Sequence, residues 1–191
     1  MPNPNRRRFL ETAAATVALQ QAASSQIPGQ GTKAHGEANS VHEKFIRQAV
    51  EIAANAHKNG NHPFGALLVD PTGRVMITAE NTVNKTHDST RHAELNVIQL
   101  ASASFSAEEI AKATLYTSTE PCVMCCGAIH WAAIPTVVFG CSAKMLGSIV
   151  KSDDFLFSCR ETLKRTKQPS VLVVVPVLES EAVVVHKGAW K

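Results

Sequence analysis

Two short segments hold the side chains best suited to metal chemistry. His92-Ala93-Glu94 supplies an imidazole and a carboxylate, and Pro121-Cys122-Val123-Met124-Cys125 supplies two thiols. Zinc in proteins prefers four ligands in a tetrahedron, and a catalytic zinc keeps three protein ligands and one open position for water. The imidazole and the two thiols therefore predict a catalytic zinc site, with one ion per chain.

The spacing of the two cysteines suits a single ion. Residues three apart lie on the same face of a helical turn, so the thiols of Cys122 and Cys125 can reach a common point. We place Pro121 at the first helical position, where its missing N–H costs nothing. The exposed N–H groups of that turn favour the thiolate form, which is the form that binds metal.

Glu94 is predicted to be the acid/base of this site. It stands two residues after His92, so it can lie beside the metal without binding it. Zinc lowers the pKa of a bound water from ~15.7 to about 7, and a carboxylate nearby can pass a proton to a ring nitrogen and then to a leaving amine. The chemistry predicted from these groups is hydrolytic deamination of an amino-substituted aromatic ring, with release of ammonia.

A structural zinc site or a redox pair is the alternative interpretation of the C-x-x-C segment. A structural site would need a fourth protein ligand, and the sequence has no second C-x-x-C. Cys126 adjoins the segment but is one residue off its ligand-bearing face, so we predict a small core residue there. The catalytic interpretation is favoured because motif, spacing and flanks agree.

The first 40 residues are predicted to lie outside the fold. Residues 5–10 read Asn-Arg-Arg-Arg-Phe-Leu, which resembles a twin-arginine export signal, and an alanine-rich stretch follows. We predict a signal segment over 1–25, a Gly- and Pro-containing linker over 26–40 and one catalytic domain over 41–191. Export to the periplasm is then expected, and a basic tail on a cytoplasmic protein is the alternative.

Charge and composition exclude several classes of protein. Residues 1–25 hold three Arg and one Glu, so the rest of the chain has 16 basic and 15 acidic residues. A balance this even argues against a nucleic-acid partner. Hydrophobic residues make up 45% of the chain, which suits a packed core, and no apolar run approaches the roughly 20 residues of a membrane span. Cys141 and Cys159 could form a disulfide in an oxidising compartment.

Hydrophobic periodicity predicts alternating helices and strands, and therefore an α/β fold with a mixed sheet. A helix is expected from Val41 to about Asn59, and a helix or strand over 179–185. Further helices are expected from His92 and from the cysteine segment to about Ala133. Strands are expected over 64–69, 74–79, 114–118, 136–139 and 171–175.

These motifs resemble the cytidine deaminase-like superfamily and its CMP/dCMP-type zinc deaminase domain, in the branch of guanine deaminases and tRNA adenosine deaminases. The resemblance rests on Pro63-Phe64-Gly65-Ala66, on Asn81, on His92-Ala93-Glu94-Leu95 and on the segment 115–129. It implies a three-layer α/β/α sandwich with a five-stranded mixed sheet, and commonly a homodimer.

Position by position, the resemblance makes His92, Cys122 and Cys125 the zinc ligands and Glu94 the proton shuttle. It makes Asn81 a hydrogen-bonding partner of the substrate base, since a carboxamide both donates and accepts. The predicted substrate contacts are Asn81, Phe64, Ala93 and Trp131.

The substrate expected is a small aminated nucleobase or nucleoside. Guanine is the first candidate, because the segment 129–132 resembles the guanine deaminase helix. Two features depart from that pattern: Arg91 stands where a small residue is usual, and the loop 142–145 lacks an acidic residue. A tRNA adenosine deaminase is the alternative, although phosphate contacts need more Lys and Arg. An inactive zinc-binding module is the third candidate, and the intact Glu94 argues against it.

Overall fold

The computed structural model describes residues 31–152, 158–166, 170–174 and 176–190, with side chains from residue 40 onward. The chain divides into two units, Met1–Ala34 and His35–Lys191. The predicted signal segment 1–25 lies outside the described residues, and of the first unit only residues 31–34 are described. None of the described helices combines the length and apolar character needed to cross a bilayer.

Helices and strands alternate along the described chain, with a helical C-terminal end. In order they are α1 (Gly31–Lys58), β1 (Gly65–Val69), β2 (Val75–Glu80), α2 (Val83–Thr86), α3 (Ala93–Ser104), α4 (Ala107–Ile110), β3 (Thr114–Thr119), α5 (Val123–Trp131), β4 (Thr136–Cys141), α6 (Ala143–Val150), α7 (Cys159–Lys164), β5 (Leu172–Val174), α8 (Glu179–Ala182) and a 3₁₀ helix (Val183–His186).

The five strands form one mixed sheet in the order β2-β1-β3-β4-β5. Strand β1 pairs antiparallel with β2 and β3, whereas β3–β4 and β4–β5 are parallel pairs. The β1–β2 turn is held by the Asp70 carboxylate, which accepts from the N–H groups of Thr72 and Arg74, and Gly73 supplies the positive φ of 85°. The predicted five-stranded mixed sheet is confirmed.

Alternate residues of the strands face two helical layers, as side-chain alternation along a strand requires. On one face Leu67 and Tyr116 pack against Phe45 of α1. On the other face Leu68 and Leu115 pack against helices α3 and α5. Helix α1 lies very close to β1, because a Cβ on Gly65 would come within 2.5 Å of backbone atoms of Ala49 and Ala53. The predicted three-layer sandwich is confirmed.

Helix α1 begins at Gly31, ten residues before the predicted start at Val41, so residues 31–40 of the predicted linker are helical. Adding residues to an anchored helix is cheap, and a glycine costs only about 1 kcal/mol. No proline interrupts residues 31–58. The end of the helix at Lys58 and the helical state of the segment that starts at Glu179 agree with the predictions.

Candidate active site

The three predicted metal ligands come together where two helices begin on the same face of the sheet. His92 is the N-cap residue of α3 and Cys122 is the N-cap residue of α5, both with extended backbone. Cys125 lies in the first turn of α5. Pro121 precedes the N-cap residue. The prediction that it occupies the first helical position is therefore wrong.

The donor atoms fit a tetrahedral zinc ion. His92 Nδ1 lies 3.7 Å from Cys122 Sγ and 3.6 Å from Cys125 Sγ, and the two sulfurs are 3.6 Å apart. Bonds of about 2.3 Å to sulfur and about 2.0–2.1 Å to nitrogen at tetrahedral angles would place two sulfurs about 3.8 Å apart and a sulfur and a nitrogen about 3.6 Å apart. Within the described residues these three side chains form a group that could hold a metal ion.

Glu94 lies beside this group without belonging to it. Its side chain is 5% exposed, Oε1 accepts a hydrogen bond from Thr117 Oγ1 at 3.1 Å, and Oε2 lies 3.6 Å from Cys125 Sγ. Burial raises the pKa of the Glu94 carboxyl, because desolvation disfavours the charged form. A buried carboxyl poised to hold a proton beside a metal-binding group is what general acid/base catalysis requires.

The two cysteines differ in protonation because their surroundings differ. Hydrogen bonds from Cys125 and then from His92 lower the pKa of Cys122 to about 4. The pKa of Cys125 is raised, first by its hydrogen bond with Cys122 and then by burial. The hydrogen bond with Cys122 raises the pKa of His92. The site thus carries one thiolate ready to bind metal, and metal binding would release the proton of the Cys125 thiol.

Asn81 and Phe64 lie next to each other, Phe64 just before β1 and Asn81 just after β2. Asn81 follows β2 and is 1% exposed; its Oδ1 accepts from the N–H of Val83 at 3.1 Å, which leaves Nδ2 as the group able to donate to a ligand. Its backbone N–H is bonded to the carbonyl of Phe64 at 3.0 Å. The structure therefore couples the two predicted substrate contacts through one backbone hydrogen bond.

Ala93 and Trp131 are placed differently from the other predicted contacts. The Ala93 side chain is fully buried in the hydrophobic core between the sheet and α3, so only its backbone could meet a substrate. Trp131 ends α5 and is 77% exposed. Nine residues of helix from Cys122 correspond to about 13 Å, so Trp131 is not among the residues that the fold brings together at the metal-binding group. Its role in substrate binding stays a prediction.

The C-terminal segment adds aromatic groups that sequence analysis missed. His186 is fully buried, and its Nε2 lies 2.8 Å from Thr119 Oγ1. Its ring packs against Phe64 at 5.3 Å, and Trp190 lies against His62 at 5.2 Å. About 120 residues separate the partners in sequence, and no spacing rule links residues that distant. Desolvation by burial lowers the pKa of His186 to about 4.

Glu120, the residue before the proline of the cysteine segment, joins three parts of the fold. Its carboxylate accepts from the N–H of Ala143 at 2.9 Å and from the N–H of Cys159 at 2.8 Å, the first residues of α6 and α7. Its own N–H donates to the Cys141 carbonyl at 2.8 Å. One carboxylate thus serves two helix N-termini, which favour negative charge, and fixes the loop that leads to Cys122.

The remaining cysteines are buried thiols. All five are unpaired, so the described residues hold no disulfide between Cys141 and Cys159, a pairing that the sequence leaves open. The neighbour of Cys159 is Cys126, whose hydrogen bond raises the pKa of the Cys159 thiol. Cys126 is 1% exposed and lies in the hydrophobic core, as predicted.

Comparison with known proteins places this site in a family. The model of the cytidine and deoxycytidylate deaminase zinc-binding region matches residues 39–141. The chain belongs to this family. It is 36% identical over 150 residues to a probable cytosine deaminase of Schizosaccharomyces pombe, an alignment that covers 76% of this chain and 90% of that protein. The protein is therefore a zinc-dependent deaminase, a hydrolase of C–N bonds.

Two further relatives differ in the molecule they act on. The chain is 40% identical over 99 residues to the guanine deaminase of Bacillus subtilis, which covers 51% of this chain and 62% of the relative. A solved structure from a study of A-to-I editing by tRNA:A34 deaminases aligns with a TM-score of 0.62 and 30% identity, over 74% of this chain and 98% of the other. The comparisons thus establish the family, whereas the relatives within it act on different substrates.

Proposed function

We propose that this deaminase acts on a small aminated nucleobase or nucleoside, with guanine as the first candidate, and that it releases ammonia. The observation that carries the proposal is the position of Glu94, buried next to His92, Cys122 and Cys125 but outside their donor group. A zinc-binding module without activity has no use for a buried carboxyl there, because burying it is costly.

The residues of the site would divide the work as follows. His92, Cys122 and Cys125 would hold one zinc ion, which when bound supplies a Lewis acid that makes water nucleophilic at neutral pH. Glu94 would take one proton of the attacking water and deliver it to the ring nitrogen, and would then carry the second proton, from the new hydroxyl group on the ring carbon, to the leaving amine. The single proton of the Thr117 hydroxyl lies within reach of both Glu94 Oε1 and the Thr119 carbonyl, each at 3.1 Å. Thr117 can therefore donate to the carboxylate, or turn and accept from the acid.

Two features support a small planar substrate. Asn81 Nδ2 can donate to a ring nitrogen or carbonyl oxygen of a base, and the ring of Phe64 offers a flat contact beside it. The near-balance of 16 basic and 15 acidic residues outside 1–25 gives little of the positive charge that phosphate contacts need. The tRNA adenosine alternative is supported by the 98% coverage of a structure from work on tRNA:A34 deaminases.

The deciding experiment is ammonia release from guanine, adenine, cytosine, their nucleosides and a tRNA anticodon stem-loop, measured side by side on the zinc-loaded protein. Turnover of a free base or nucleoside is the expected result. Efficient turnover of the stem-loop alone would replace this proposal with the tRNA alternative. Turnover of cytosine in place of guanine would keep the small-base class and change the base.

We also propose that the protein is exported through the twin-arginine route, as the segment 5–10 suggests. That route carries folded proteins, which suits a domain that must bind zinc before it leaves the cytoplasm. Replacing Arg6 and Arg7 by Lys should retain the protein in the cytoplasmic fraction. Equal fractionation of the variant and the wild type would contradict export.

A further inference from the structure

Asn96 lies at the point where two loops of the site meet. Its amide Nδ2 is 2.9 Å from the Glu80 carbonyl and 3.1 Å from Thr82 Oγ1, and the Arg91 carbonyl follows at 3.4 Å. Glu80 and Thr82 are the two neighbours of Asn81, and Arg91 directly precedes the first metal ligand. One side chain on α3 therefore contacts both the loop that carries the proposed base contact and the loop that carries the metal ligand.

We infer that Asn96 is a positioning residue, a clamp that fixes Asn81 relative to His92 and so sets the distance between the bound base and the metal. The inference rests on the proposed function for the role of Asn81. It adds a residue that touches neither substrate nor metal and acts only through the two loops.

The clamp ties the Asn81 loop to the helix that begins at the first metal ligand. The two amide protons of Asn96 bond the Glu80 carbonyl and Thr82 Oγ1, one on each side of Asn81. Asn96 itself lies in the first turn of α3, whose N-cap residue is His92. A single backbone hydrogen bond also joins the loops, from the N–H of Thr82 to the Arg91 carbonyl at 3.0 Å. One bond allows the loops to turn about it, whereas the added side-chain bonds define their relative orientation.

Side-chain packing contributes little to holding these two loops together where they border a cavity. Glu80, Thr82, Arg91 and Asn96 border an open cavity of about 580 Å³, which runs between α1, the edge strand β2 and α3. Side chains next to open space make few van der Waals contacts, so hydrogen bonds hold the loops there. The clamp and the backbone bond between Thr82 and Arg91 therefore hold the loops together on this side.

The first test measures the loops and needs no activity. Amide hydrogen exchange is followed on the zinc-loaded protein in peptides that cover 80–83 and 90–92, for wild type, Asn96→Ala and the isosteric Asn96→Asp, which loses both donors. The control is Asn55→Ala, which removes an exposed amide that borders the same cavity. Both Asn96 variants should exchange roughly 5- to 30-fold faster in both peptides, the value for one or two lost hydrogen bonds, and should keep one zinc per chain. The control should match the wild type.

The second test asks whether Asn96 acts through Asn81. Asn96→Ala should raise KM more than it lowers kcat, and reduce kcat/KM roughly 5- to 30-fold. In the double variant with Asn81→Ala, kcat/KM should fall no more than about twofold below that of Asn81→Ala alone, because residues that act as one unit are not additive.

The outcomes separate the two proposals. Unchanged exchange in either peptide of Asn96→Ala overturns the clamp, and multiplied losses in the double variant overturn its action through Asn81. If the wild type releases ammonia from no free base or nucleoside, the proposed function fails, while the exchange measurement still decides whether Asn96 ties the loops.

Discussion

Glu94 and the metal-binding side chains are separated by chemistry as well as by position. The three donors form a triangle with sides of 3.6 to 3.7 Å, which one ion can fill. Glu94 touches the edge of that triangle at Cys125 and is bonded on its other oxygen to Thr117. A variant at Glu94 should therefore remove proton transfer and leave metal binding in place.

We expect Glu94→Gln to retain one zinc per chain and the melting temperature of the wild type, and to lose at least ~10²-fold in kcat, since a positioned acid/base contributes ~10²–10⁴-fold. Metal analysis and steady-state kinetics check this. Cys122→Ala is the matched comparison, because it should lose zinc and activity together. Near-normal turnover in Glu94→Gln would show that another group moves the proton.

Thr117 gives a second prediction at this scale. Thr117→Val has nearly the same shape but leaves the buried Glu94 without its hydroxyl partner, which should cost about 1–3 kcal/mol of transition-state stabilisation. We expect kcat to fall roughly 5- to 150-fold, with zinc content unchanged. Thr117→Ser keeps the hydroxyl and should stay close to the wild type; a loss equal to that of Thr117→Val would point to packing instead.

At the scale of helices and strands, the residues of the site are positioned mainly by the ends of these elements. The predicted metal ligands His92 and Cys122 are both N-cap residues, and the carboxylate of Glu120 bonds the first residues of α6 and α7. The 3₁₀ helix Val183–His186 is tied to the end of β3 by the hydrogen bond between His186 and Thr119. The buried imidazole of His186 thus helps to anchor the C-terminal segment.

That anchor predicts how stability depends on pH. The pKa of His186 is lowered from near 6.5 to about 4, so the native state keeps the ring neutral while the unfolded chain binds a proton below pH 6.5. The free energy of unfolding should therefore decline as the pH falls from 6.5 to about 4, by about 2 kcal/mol at pH 5 from this group. Urea titrations from pH 8 to 4.5 should show a shallower decline for His186→Gln than for wild type. Parallel curves would remove His186 as the cause.

How much of this was predictable differs from element to element. The four N-terminal strands of the sheet and the cysteine helix were predicted within about two residues, because their apolar runs are short and bounded by turn residues such as Gly73. Helices α6 and α7 were missed. They have 8 and 6 residues, too short for a periodic pattern, and their starts depend on Glu120, a partner more than twenty positions away.

The metal-binding group was predictable because spacing along the chain encodes it. The two residues between Cys122 and Cys125 indicate a helical turn that brings both thiols to one ion. The segment His92-x-Glu94 supplies the imidazole and the carboxylate beside it. The clamp at Asn96 and the aromatic contacts of His186 and Trp190 were not predictable, since each depends on which distant segments the sheet brings together. Residues that position the site through contacts between distant segments are therefore harder to predict than the metal-binding residues, which follow a short sequence motif.

At the scale of the whole molecule, one helix face has no covering layer from the part of the chain that the structure describes. Helix α5 exposes Val123, Met124 and Trp131, at 49%, 39% and 77% of their surfaces, and Gly127 between them leaves room for a close approach. Tryptophan and methionine are enriched in protein interfaces. We propose that this face is the contact between two copies of the chain, in line with the homodimer expected from the sequence.

Trp131→Glu places a charge at the C-terminal end of that face and should convert the dimer to a monomer, because an unpaired charge is costly to bury. Light scattering coupled to size-exclusion chromatography should give the mass of two chains for wild type and of one chain for the variant. Val41→Glu is the control: Val41 is 50% exposed on α1, in the opposite layer of the sandwich, and its replacement should leave the mass of two chains.

A wild type with the mass of one chain at all concentrations would rule out the dimer, and a dimer that survives Trp131→Glu would move the interface to another face. Because the zinc donors and Glu94 all come from one chain, a monomeric Trp131→Glu variant should still bind one zinc ion.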